Sequence, residues 1–154
     1  ELGLSEQETN EVLVRMPQLV TVNSTTNLQP KLDFWREERG LSAKDVGRMV
    51  LRELTLVHFN IDTNVRPSVL FLQREMGLSE QDTNNLLLTA PSLLGVNSTT
   101  NLRPKLDFWR EERGLSAKDV GRMVLRLPSL LTYIQHKHQC EAHRAVPAAR
   151  AGPV

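Results

Sequence analysis

Apolar residues recur along most of the chain at helical spacing. Leu28, Leu32 and Trp35 stand at i, i+4 and i+7, as do Val65, Val69 and Leu72. Each triplet falls on one stripe of a helix with about 3.6 residues per turn. Pro30, Pro67 and Pro104 sit near the start of these stretches. They are expected in the first turn of helices opening near Asn27, Asn64 and Asn101, where a missing N–H has no helical partner to lose. Gly40, Gly77 and Gly114 close the stretches, in the place of a left-handed cap. A Ser-x-x-acid motif follows each glycine: Ser5-Glu8, Ser42-Asp45, Ser79-Asp82 and Ser116-Asp119. This capping-box pattern opens a second helix, whose buried stripe includes Val46, Met49 and Val50. Pro17, Pro91 and Pro128 stand twelve residues after the capping serine and stop that helix; Leu54 takes the place once. The apolar pairs beyond them, Leu19-Val20, Leu56-Val57, Leu93-Leu94 and Leu130-Leu131, are expected on a tight one-turn segment plugging the seam to the next unit.

The elements repeat every 37 residues, as the glycines at 3, 40, 77 and 114 show. The chain divides into a leading half-unit, 1–22, and units 23–59, 60–96 and 97–133. A second period overlies the first: residues 23–52 recur as 97–126 with one change, Gln29 to Arg103. Such near-identity points to a recent duplication of a two-unit block or to an engineered repeat. A helix pair this short cannot bury both its faces, so neighbouring units must share a core. The expected fold is an all-α solenoid of stacked helix-turn-helix repeats over 1–133, with a disordered tail over 134–154.

Composition narrows the class. Hydrophobic residues make up 40% and charged residues 24% of the 154, ordinary values for a folded domain. No apolar run is long enough to span a bilayer, and the single cysteine, Cys140, forbids an internal disulfide. Aromatics, at 5%, are too scarce for a base-stacking platform. Because residue 1 is Glu rather than Met, a fragment or a processed form is expected, with any targeting peptide outside it. The net charge of +1 conceals segregation: residues 1–22 hold four Glu and one Arg, whereas 97–133 hold seven basic and four acidic residues.

The string NLRPKLDFWREERGLSAKDVGRMVLRLPSLLTY, residues 101–133, resembles the mitochondrial transcription termination factor (mTERF) repeat. The matching features are Pro128 before Leu130-Leu131, the leucines Leu102 and Leu106, and Gly114-Leu115-Ser116. They recur in step over about 1–133, with Leu54 as the departure where proline is expected. The resemblance implies a curved, non-enzymatic α-solenoid of mitochondria or chloroplasts, monomeric and without cofactor. It further implies binding of double-stranded DNA or structured RNA along a basic groove, in transcription termination, its regulation or RNA processing. The rival expectation is a protein–protein scaffold that does not bind nucleic acid, which the low net charge favours.

Lys44, Arg48 and Arg52, at i, i+4 and i+8, form a basic stripe on a second helix, and Lys118, Arg122 and Arg126 repeat it two units later. The equivalent places elsewhere hold Gln7, Glu11 and Arg15, then Gln81, Asn85 and Thr89. Fixed cations at intervals along a groove are what phosphate contacts need. The plainer reading is that cations in a last helical turn answer the helix dipole, with Asp45 neutralising part of the stripe. Lys31 and Lys105, beside helix-opening prolines, are candidates for an anion at a helix N-terminus, against simple solvation. Arg36 to Arg39 and Arg110 to Arg113 read as a mixed-charge solvated face. Trp35 and Trp109 belong to the core, and Phe34, Phe71 and Phe108 are expected against the adjacent unit. His136, His138, Cys140 and His143 match no standard zinc spacing, and no metal is assigned to them. No nucleophile elbow, phosphate loop or Ser-His-Asp set is present.

Overall fold

The computed structural model describes residues 3–21 and 23–133. The histidine- and cysteine-bearing tail and its expected disorder lie outside them. Helices alternate as the repeat requires: α1 (Glu6–Arg15), α2 (Gln29–Asp33), α3 (Ala43–Arg52), α4 (Arg66–Glu75), α5 (Glu80–Thr89), α6 (Arg103–Asp107), α7 (Ala117–Arg126) and α8 (Leu130–Tyr133). Tight 3-10 turns over Pro17–Val20, Leu54–His58 and Pro91–Gly95 close the units. The second and third bury Leu56, Val57, Leu93 and Leu94 in the seam, as the apolar pairs predict, whereas in the first Leu19 is only half-buried and Val20 is exposed. Among the described residues there is no strand. No helix there is long and apolar enough to cross a membrane.

The first helix of each unit starts earlier than its proline suggests. Widened turns with π-type hydrogen bonding, Ser24–Leu28, Ile61–Val65 and Ser98–Leu102, precede α2, α4 and α6. Asn60 and Asn97 cap two of them, each side chain accepting two backbone N–H groups. The prolines therefore lie one turn inside the helix. A proline ring there clashes with the carbonyl four residues back, and its missing N–H breaks the ladder. The turn just before it is widened, with a bond from the Leu102 N–H to Asn97 O (3.3 Å), five residues back.

The turn between helices follows the local rules closely. Gly40, Gly77 and Gly114 have φ of +64 to +66°, the left-handed cap conformation. Ser5 and Glu8 make the full reciprocal capping box. At Ser42, Ser79 and Ser116 the acid is Asp, one methylene shorter. It takes the serine hydroxyl at 2.6–2.7 Å, while the hydroxyl oxygen still accepts the Asp backbone N–H. Leu54 keeps the proline's short helix. Glu53 substitutes for its rigidity, accepting from the Thr55 hydroxyl (2.5 Å) and N–H (3.4 Å).

A continuous core runs through the three full units, from Trp35, Val46 and Met49 through Leu72, Met76 and Leu87 to Leu106, Val120 and Leu131, and a second cluster of Met16, Val50 and Val57 joins the leading half-unit to the first of them. Side chains from one unit also grip the next. Arg66 pairs both its terminal nitrogens with Glu38 (2.7 and 2.8 Å) and lies 5.0 Å over the Phe34 ring. Arg103 repeats this on Glu75 and Phe71. The one substitution between the duplicated blocks, Gln29 against Arg103, thus falls on a unit–unit clamp. Arg39, with only 8% of its side chain exposed, donates to Asn84 Oδ1 (3.1 and 2.7 Å), and Asn84 Nδ2 donates back to Arg39 O. Glu38 and Arg39 are therefore interface residues and not part of a solvated face; Arg36 and Glu37 remain exposed. At Gly121 a Cβ would stand 2.6 Å from Met76 O, so α7 seats on the preceding turn only because the position is glycine.

Candidate nucleic-acid interface

The second helices α1, α3, α5 and α7 carry the candidate cations. Lys44, Arg48 and Arg52 on α3, and Lys118, Arg122 and Arg126 on α7, are all exposed. Their stripes face away from the apolar side that buries Val46, Met49 and Val50 in one helix and Val120 and Val124 in the other. The i, i+4, i+8 spacing therefore reads as a solvent-facing basic edge in both helices.

Within each stripe the cations are held differently. Arg48 and Arg122 make only loose ion pairs, 3.9 Å to Asp45 and 3.7 Å to Asp119, with guanidinium side chains 61 and 66% exposed. Such pairs contribute about 0–1 kcal/mol, little to keep an arginine from a phosphate. Their acids are also engaged elsewhere. The Ser116 hydroxyl, then its backbone, then Arg122 and Lys118 hold the Asp119 carboxyl below its ordinary range.

Arg15 and Arg52 act between units. Arg52 Nη1 donates to Leu88 O (3.0 Å) and Thr89 O (3.2 Å) in the last turn of α5. Arg15 Nη1 reaches Leu51 O (3.3 Å) in the last turn of α3 and Glu11 Oε1 (3.4 Å). Carbonyls at a helix C-terminus lack intrahelical donors and carry the negative end of the dipole, so a guanidinium there answers both. Arg126 is the third member of this series, and among the described residues it has no such carbonyl to cap. In the bonds observed Arg52 commits Nη1 alone, leaving Nε and Nη2 as donors.

Lys31 and Lys105 are not arranged around a helix N-terminus. Lys31 donates to Val57 O and to Asn27 Oδ1 (2.7 Å), and Lys105 donates to Leu131 O. Lys105 is buried, at 4% exposure. Desolvation lowers the pKa of both ammonium groups. They tie each unit's first helix to the short helix that closes the same unit, which removes them from any anion site. The signal was in the sequence: both lysines lie 26 residues before a carbonyl of the Leu-Val or Leu-Leu pair, at the same place in the repeat.

The surroundings of the stripes also differ. The amino-terminal segment crosses the start of α3, where a Cβ on Gly3 would lie 3.1 Å from Lys44 N. Glu8 of α1 is held below its usual carboxylate range chiefly by hydrogen bonds from Ser5, with Lys44 and Arg48 adding to the effect. An ionised carboxylate thus sits in the field of the first stripe. On α5, one unit before the second stripe, Asp82 takes the place of Glu8, and the places of the stripe itself hold Gln81, Asn85 and Thr89. A groove of about 430 Å³ joins the helix ends across three units, between Arg52 and Glu53 on one side and Pro128 and Ser129 on the other. Among the described residues no three His, Cys, Asp or Glu gather to hold a metal.

A search of curated proteins returned no match. The mTERF family description matches residues 1–82 and again 72–142, which together take in every stacked unit described above. With the 37-residue helix pairs, the left-handed glycine caps and the proline-led closing turns in place, the chain belongs to the mTERF family.

Proposed function

We propose that this chain binds nucleic acid, double-stranded DNA or structured RNA, along the row of second-helix edges, as part of an organellar protein that terminates or regulates transcription or processes RNA. The observation that carries this reading is the pair of exposed arginine–lysine stripes on α3 and α7, two units apart, with Arg48 and Arg122 held only loosely by their acids. Membership of a family that generally binds nucleic acid in organelles supports it. Affinity comes mainly from release of counterions, with phosphates contacted by Lys44, Arg48, Lys118, Arg122 and Arg126 and only secondarily by Arg52 and Arg15. Lys31 and Lys105 take no part.

The test is binding of a DNA duplex, an RNA hairpin and single-stranded RNA across a salt series. For the duplex, Arg48→Ala, Arg122→Ala and Arg126→Ala together should flatten the log K against log salt slope by about two to three units. An unchanged slope would remove these arginines from the interface. Absence of salt-dependent binding to all three ligands would favour a protein scaffold instead.

A further inference from the structure

The basic stripes skip a helix. Between those on α3 and α7, the same register on α5 holds Gln81, Asn85 and Thr89, all exposed. They face away from Thr83, Leu86 and Leu87, which α5 buries. Both neighbours hold α5 in place. α3 packs on it, and Arg52 caps its last turn at Leu88 O and Thr89 O. Gly121 of α7 seats against Met76 and Leu78, in the turn that leads into α5. One groove gathers Arg52, Thr89 and Ser129 from the three successive units. This middle helix is unsuited to phosphate: its first turn carries Glu80 and Asp82, and no place of its stripe is charged. The two acids are engaged, Glu80 with Arg39 (3.3 Å) and Asp82 with the Ser79 hydroxyl (2.7 Å). The side-chain amides of Gln81 and Asn85 have no hydrogen-bond partner among the described residues. Four residues apart, they stand one above the other on one face. Each offers an acceptor beside a donor, the complement of N6 and N7 on the major-groove edge of adenine.

We propose that α5 is a base-reading helix: Gln81 and Asn85 meet adenine edges in the major groove of a DNA duplex, while the stripes on α3 and α7 hold the phosphates on either side of that groove. This role rests on the nucleic-acid binding proposed above and narrows it to DNA, because side chains cannot read the deep, narrow major groove of A-form RNA. At about 8–10 Å per packed helix, α3 and α7 stand about 20 Å apart, enough to straddle a groove about 12 Å wide. Cations on the outer helices fix the register, and neutral amides between them carry the sequence information.

The experiment is selection by the whole chain from DNA duplexes with a randomised central segment, followed by anisotropy titration of the enriched duplex across a salt series. Adenine should be enriched at two positions. Gln81→Ala with Asn85→Ala should abolish that enrichment and weaken binding of the selected duplex by about tenfold or more. The slope of log K against log salt should not move, because neither amide meets a phosphate, and the melting temperature should not fall, because both side chains are exposed. Replacing the enriched adenines by 7-deazaadenine, which lacks N7, should weaken binding to the parent chain and leave the variant unaffected. Salt-dependent duplex binding without adenine enrichment, the same enrichment by the variant, or equal sensitivity of both chains to 7-deazaadenine would overturn the role of α5 and leave the phosphate stripes standing. Absence of duplex binding at any salt would overturn the role of α5 together with DNA binding itself.

Discussion

Residues 23–52 and 97–126 are the same sequence but for one position, yet they are not the same structure. In the first copy Phe34 and Trp35 are 4 and 5% exposed, whereas Phe108 and Trp109 in the second are half-buried. At the other end of the block the order reverses. Leu102 and Leu106 are fully buried and Lys105 nearly so, while Leu28, Leu32 and Lys31 are half-buried. The start of a first helix is covered by the preceding unit and its end by the following one. The first copy follows only a half-unit, and the second has no stacked unit after it among the described residues. Even equivalent amides diverge: Asn27 Oδ1 accepts from Lys31, whereas Asn101 Oδ1 is buried without a partner as Lys105 turns wholly to Leu131 O. In a quasi-one-dimensional fold, burial belongs to the stack and not to the segment.

The largest expected break in this comparison is at the tryptophans. Trp35→Ala should cost about 3–5 kcal/mol in urea unfolding, and Trp109→Ala clearly less, since part of that ring already meets solvent. Equal losses would mean that neighbours do not set burial. Next comes Gly121→Ala. A helical Gly-to-Ala change gains up to about 1 kcal/mol of propensity, but here the Cβ meets backbone at 2.6 Å. A net destabilisation of about 1–3 kcal/mol is expected from the same measurement.

Much of this architecture was legible beforehand because local rules carry it. The glycine caps, the serine caps and the closing turns all follow from residues close in sequence to the feature they fix. Contacts between residues far apart in sequence were less legible. The ammonium of Lys31 reaches Val57 O, 26 residues on in the same unit, and Glu38 looks solvated until Arg66 arrives from the next unit. The 28-residue separation shared by Glu38–Arg66 and Glu75–Arg103 is the signal that would have exposed that clamp. For the interface, the spacing of the stripes was readable. The division of labour between Arg52, which caps α5, and Arg48, which does not, required the placement of α5.

Smaller effects sharpen the contrast. Arg103→Gln makes the two blocks identical and removes the contacts to Glu75 and Phe71. It should cost at most about 1 kcal/mol, because both partners are partly exposed, and a double-mutant cycle with Glu75→Gln should recover the coupling. Gln29→Arg should not stabilise the chain to the same extent. The smallest effect is in pH. Hydrogen bonds from Arg66 hold the Glu38 carboxyl below its ordinary value, and Ser5 does the same for Glu8. A folded-state pKa below the unfolded one stabilises above the ordinary carboxylate range. That stability is lost as pH falls through the lowered values. Arg66→Gln should flatten the acid limb of a melting-temperature profile, and an unaltered limb would remove the pair from the account.

The central claim is that the exposed cations of the α3 and α7 stripes meet a polyanion. The direct measurement is duplex affinity against salt for Lys118→Ala/Arg122→Ala and for Lys44→Ala/Arg48→Ala. Each pair should lower the slope by up to about two units, the count of phosphates released. No loss of slope from either pair would contradict it.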